Sequence, residues 1–182
     1  MLTSLYTSPG SEEAGNRSLI KLFRNVIAAR KLSALMHPLV YEHEILAKDF
    51  VDALVENKSM QIISLDETLI CDEGRRRYYE YLVPELYKRL TGKAWPAKDI
   101  FAFWAPRHSL GEVHSVAMCI VCGFGLFLSD DKDSKTLQQI VTDITGGQTR
   151  IEVYNRAEIV KGVAKDCKLP RHDRMAFGHK AI

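Results

Sequence analysis

The sequence predicts an α/β protein whose central sheet is mainly parallel and whose helices lie on the faces of that sheet. Three observations carry this expectation. Residues 124–128 (FGLFL) form a continuous apolar run, as in a strand covered on both faces. Just before it, Val113, Val116, Ala117, Ile120 and Val121 form the i, i+3, i+4, i+7, i+8 stripe of a core-facing helix. Strand-like and helix-like segments alternate along most of the chain, as a sheet with crossover helices requires.

Taken in order, residues 1–17 read as an opening loop, rich in Ser, Gly, Pro and Glu. Residues 18–31 are expected to be helical, on the spacing of Leu19, Leu22, Phe23, Val26 and Ile27. Residues 35–40 are short and apolar and read as a strand. Residues 42–56 read as one helix, with Ile45, Leu46, Phe50, Leu54 and Val55 on one side. Residues 61–65 (QIISL) read as a strand, and 73–90 as a long helix dense in Arg and Tyr, ending near Thr91-Gly92. Residues 93–109 hold Pro96, Pro106 and several aromatics and are expected to be irregular. The helix over 110–122 is closed by Gly123, which suits left-handed backbone. After the strand at 124–128 come a helix over 134–144, closed by Gly146-Gly147, a strand over 150–154 (RIEVY) and a helix over 156–163. No boundary interrupts 18–163, so one domain is expected, followed by a basic tail over 164–182.

Composition narrows the function less than it narrows the fold. Of the 182 residues, 46% are hydrophobic and 26% charged, an ordinary globular balance. The net charge of +2 does not by itself argue for a nucleic-acid partner. From Lys161 onward there are six Lys/Arg and two Asp, which suits either a phosphate or acidic partner or a solvated terminus. The opening MLTSLYTSPG lacks a positive region followed by an apolar run, so no signal peptide is expected. No apolar stretch approaches the ~20 residues of a membrane span. Cys71, Cys119, Cys122 and Cys167 therefore read as reduced cytoplasmic thiols. Cys119 and Cys122 form C-x-x-C, but inside an apolar helix and without a second pair, which favours packing over zinc or redox work.

Chemistry is expected where carboxylates gather. In a parallel sheet, ligands bind beyond the carboxyl ends of the strands. Ser129, Asp130 and Asp131 stand at such an end; a hard divalent cation would offset the repulsion of adjacent carboxylates. The bland reading of the same run is a turn and a helix N-cap. Glu112 lies in the first turn of the preceding helix. If that helix packs antiparallel on strand 124–128, Glu112 and Asp131 share one edge of the sheet. Glu112 also has a plain explanation in the helix dipole. His37, His43, His108 and His114 surround these acids, with His114 the first to test against phosphate. Arg75, Arg76, Arg77, Tyr78, Tyr79 and Tyr81 set basic and aromatic side chains on one helix, for phosphate and base contacts or as a solvated helix packed by its tyrosines.

The run SLGEVHSVAMCIVCGFGLFLSDDKDSKTLQQI resembles the second half of a PIN domain. That family shows Gly-Glu or Gly-Asp opening a helix, then Gly, an apolar strand, Ser/Thr-x-Asp and another helix. The chain also resembles the toxin ribonucleases of bacterial toxin–antitoxin pairs, the VapC-like proteins. MHPLVYEHEIL resembles the family's second acidic motif, and RIEVYNRAEIV its closing strand and helix. The similarity spans about 18–163 as an order of elements, and only 110–139 is distinctive at the level of motifs.

The resemblance implies a three-layer α/β/α fold and a metal-dependent ribonuclease. It assigns Glu112 to the acid opening the helix and Asp131 to the acid after Ser129. It assigns Glu44 to the second motif, with Glu42 as the alternative. Asp130 and Asp133 stand near enough to add a ligand or position water. Ser129, His114 and Arg75 are expected to meet substrate, and Mg²⁺ or Mn²⁺ is the implied cofactor. The implied partners are RNA, an antitoxin protein and a second copy in a homodimer, with no membrane. One departure stands out: the family's first strand ends in Asp, yet no Asp precedes Asp49. MLTSLY resembles the segment directly after that motif, so the expected reading is a chain that begins one strand late. Two other readings compete: a PIN-like scaffold with an incomplete metal site, and a receiver-like domain using Asp130-Asp131. The last is disfavoured because a receiver's acidic pair follows its first strand.

Overall fold

The computed structural model describes residues 34–45, 48–65, 72–101, 109–129, 133–155 and 158. The helix expected over 18–31, nearly all of that expected over 156–163, the basic tail, His108, Asp130 and Asp131 lie outside these residues. The described chain mixes helices with short parallel strands. Its elements are β1 (Ala34–Met36), α1 (Pro38–His43), α2 (Lys48–Glu56), β2 (Met60–Ile62), α3 (Glu73–Thr91), α4 (Leu110–Cys122), β3 (Leu126–Leu128), α5 (Asp133–Ile144) and β4 (Glu152–Tyr154). Among the described residues, no helix is long and apolar enough to cross a membrane.

Among the described residues, strand pairing is parallel, as the alternation of elements predicts, but it forms two separate two-stranded sheets. Leu35 pairs with Gln61 in β1–β2, and Phe127 with Val153 in β3–β4. The first pair and helices α1 and α2 enclose one apolar cluster, Met36, Val40, Ile45, Val51, Leu54 and Met60. The second pair and helices α3, α4 and α5 enclose a larger one around Tyr79, Leu82, Val113, Val116, Phe127 and Leu137.

Three local differences from the sequence expectations have physical causes. The apolar segment 35–40 is strand only to Met36 and then helix. Pro38 takes the first helical position, where a missing N–H costs nothing, and the His37 side chain caps α1 by accepting from the Leu39 amide at 3.2 Å. The single helix expected over 42–56 is two helices, α1 and α2. Ile45 turns into the smaller cluster between them, and Tyr41 donates to Asp52 at 2.7 Å. Strand β3 is not covered on both faces, since Leu126 is 53% exposed while Phe127 is buried.

Helix α3 matches its expected span. Asp72 accepts from the Arg75 amide at its start, and Gly92 ends it at φ 73°. Its buried side is Tyr79, Leu82, Val83, Leu86 and Tyr87, a helical stripe partly written in tyrosine. Helix α4 also has its expected bounds, but it is buried all round rather than along one stripe, from Leu110 to Ile120. It packs against α1, α3, α5 and β3, so polar residues off the apolar stripe are interior too. Cys119 is buried and the Cys122 thiol lies 3.4 Å from the Met118 sulfur, as core packing of C-x-x-C requires.

Candidate functional site

Three acidic residues lie in or bond to the segment 109–112 at the start of α4, each through its own contact. Glu44, at the end of α1, accepts a hydrogen bond from the Gly111 amide through Oε1 at 3.0 Å, across 67 positions. Only glycine permits this approach. A Cβ on residue 111 would lie 2.5 Å from the Glu44 carboxyl carbon and closer still to Oε2. Glu112 follows directly and is buried, in the first turn of α4. Asp133 opens α5 and accepts from the Ser109 hydroxyl at 2.7 Å.

Ser109 is the residue before α4, where a serine ordinarily bonds the helix's own free amides. It makes no such bond, and its φ of 49° places it in the left-handed region. A non-glycine residue held there stores strain of about 1–3 kcal/mol. The hydroxyl is used instead to tie the start of α5 to the start of α4. The starts of α4 and α5 are therefore joined by one side-chain hydrogen bond. Around the α4 axis at 100° per residue, Glu112 is one step from Gly111, the residue that Glu44 covers.

The resemblance assigns Glu44 to the second motif, with Glu42 as the alternative. Glu44 is the one that meets α4, whereas Glu42 is exposed beside His43 at 3.8 Å. Ser129 is buried, and its amide donates to the Tyr154 carbonyl at 3.0 Å, continuing the β3–β4 ladder. Asp131 and Asp130 fall outside the described residues. Among the described residues, no group of three or more His, Cys, Asp or Glu is placed to hold a metal ion.

One expectation for substrate contact, that for His114, does not match the placement of its side chain. His114 is fully buried, because α4 is interior on every side, so its ring contacts the core rather than solvent. Its Nδ1 lies 2.7 Å from the Tyr79 hydroxyl, which lies 2.8 Å from His37 Nε2. Burial holds the His114 pKa down at about 3 and lowers that of His37, which the nearby His114 lowers further. Arg75 is exposed, 3.4 Å from Asp72, and its charge reaches Cys122 at the far end of α4. Ten residues of helix, about 15 Å, separate Cys122 from Glu112.

Sequence reasoning missed Ser109 and the His37–Tyr79–His114 chain as a unit. The signal for His37 was the His-Pro pair, a capping residue before a proline at the first helical position. Nothing in the sequence marks Tyr79 apart from Tyr78 and Tyr81 except its place on the buried stripe of α3. A scan against protein-family models and searches of curated proteins and of solved structures find no match to this chain.

Proposed function

We propose that this chain is a Mg²⁺- or Mn²⁺-dependent ribonuclease of PIN-like three-layer architecture, with Glu44, Glu112 and Asp131 as its metal-facing carboxylates. The observation that carries the reading is the Glu44–Gly111 contact, in which a glycine admits a distant carboxylate beside the next residue, Glu112. Oxygen-only donors of this kind suit hard divalent ions better than soft ones. Glu44 and Glu112 offer the oxygen donors such an ion takes, and in this proposal Asp131 would complete the set.

In this reading Glu44 and Glu112 present carboxylate oxygens at a rim that α4 holds rigid. Ser109 holds Asp133 by a hydrogen bond at the start of α4, and Asp130 and Asp133 are assigned to position water. The bound cation supplies Lewis-acid activation for phosphodiester hydrolysis. RNA is the proposed substrate, and the resemblance extends the proposal to a toxin restrained by an antitoxin and acting as a homodimer. Cleavage of RNA should require Mn²⁺, stop with EDTA, and fall by orders of magnitude in Glu112→Gln and Asp131→Asn. Cleavage that survives either substitution removes the assignment.

A second reading has its own observation. Glu44 and Asp133 already accept hydrogen bonds from Gly111 and Ser109, so both also serve as anchors between helix ends. A PIN-like scaffold that binds RNA or a protein without cutting would use them in that way alone. Metal binding without cleavage would favour it.

A further inference from the structure

We propose that Tyr79 is the positioning residue for Glu44, acting through His37 and the short helix α1. The proposal rests on the reading of Glu44 as a ligand-facing carboxylate, and its physical basis is a strut held at both ends. Helix α1 has only six residues; its Val40 lies in the smaller apolar cluster, and the helix packs against α4, whose residues form part of the larger one. Its first cap, His37, is bonded to Tyr79 of α3, and its last cap, Glu44, is bonded to Gly111 of α4. A helix this short has little stability of its own, so its ends take their places from what grips them.

The grip has a definite direction. The Leu39 amide can only donate, so His37 Nδ1 is the acceptor. The buried neutral ring then carries its proton on Nε2 and donates it to the Tyr79 oxygen. The Tyr79 O–H is left to donate to His114 Nδ1. Tyr79 thus accepts from α1 and donates to α4, joining both helices that form the Glu44–Gly111 contact. Its ring is also stacked on Phe101 at 5.8 Å, which keeps the hydroxyl from swinging. Both ends of α1 are therefore referred to one central helix, and the Tyr79 hydroxyl sets the register between them.

The test is the amide proton of Gly111, read by NMR in the full chain. Glu44→Ala defines its position without the carboxylate. Tyr79→Phe keeps the ring and removes the hydroxyl, and should move the Gly111 signal at least halfway to the Glu44→Ala position. Amides of β3 and the middle of α5 should stay in place, which a general loosening would not allow. Side-chain ¹⁵N shifts should show His37 as the Nε2–H tautomer in the unaltered protein. Should Tyr79→Phe fail to fold, His37→Asn takes its place, since Asn caps α1 but is too short to reach Tyr79. A Gly111 signal unmoved in the folded variant, or an Nδ1–H tautomer at His37, overturns the proposal. In parallel, Tyr79→Phe should weaken Mn²⁺ binding several-fold. If the unaltered protein binds no Mn²⁺, the metal reading fails, and the Gly111 signal still decides whether Tyr79 places Glu44.

Discussion

The Glu44 carboxylate occupies the space in which any residue but glycine at 111 would carry its Cβ. The relationship inverts an ordinary expectation. Glycine to alanine inside a helix normally stabilises by about 1 kcal/mol. Here Gly111→Ala should lose that gain and destabilise by up to about 1 kcal/mol, because the Glu44 carboxylate must swing off the Gly111 amide. Adding Glu44→Ala should recover part of that loss, so the pair is non-additive. Denaturant melts of the two single variants and the double variant measure this. A Gly111→Ala protein more stable than the unaltered one would contradict the contact.

Ser115 lies one turn after Gly111, and its hydroxyl is buried with no hydrogen-bond partner among the described residues. A buried hydroxyl in that state costs about 1–3 kcal/mol. Ser115→Ala should raise stability by about 1–2 kcal/mol, part of it from helix propensity. The midpoint in urea should rise with an unchanged slope. A lower midpoint would mean that the hydroxyl has a partner in solution.

Acid should weaken the fold before carboxylates begin to protonate. Burial lowers the pKa of His114 to about 3 and lowers that of His37, so both are neutral when folded and bind protons when unfolded, near 6.5. The unfolded state then holds more protons below pH 6.5, and stability present above that pH falls as pH falls. For His114 the slope is about 1.4 kcal/mol per pH unit between 6.5 and 3, and His37 adds in the same direction. Urea midpoints at pH 7.5, 6.5 and 5.5 should decline, less steeply in His114→Gln. A flat profile, or one as steep in the variant, would contradict the burial of the pair.

Burial pushes the Cys119 thiol up to about 12, and raises that of the half-buried Cys122. At pH 8 on the order of 10⁻⁴ of Cys119 is thiolate, so alkylation of the folded protein should leave it intact. Peptide mapping after iodoacetamide, with and without urea, checks this. Rapid labelling of Cys119 in the folded state would reopen a chemical role for the C-x-x-C pair.

Periodicity located α3, α4 and α5 closely because apolar spacing, Asp72, Gly92, Gly123 and Gly146-Gly147 all act within a turn or two of chain. It failed at 35–43, where an apolar segment short enough for a strand carries a proline that starts a helix. It also misjudged how much of α4 is interior. A stripe says which side of a helix is apolar, but not that neighbours close over the remaining sides. His114 went inside for that reason, although its position in sequence beside Glu112 suggested the rim.

The sequence alone determined the alternation of helices and strands and where α3, α4 and α5 end, since these depend on neighbours within about seven residues; parallel pairing between residues 26 positions apart was an expectation drawn from that alternation. The sequence also supplied Glu112, and Glu44 with Glu42 as the alternative, as expectations. Only the tertiary structure set Glu44 against Gly111 across 67 positions, drew Ser109 to Asp133 and drew Tyr79 to both histidines. Such contacts depend on how whole elements pack, and side-chain spacing along the chain does not encode the distance between elements that meet face to face.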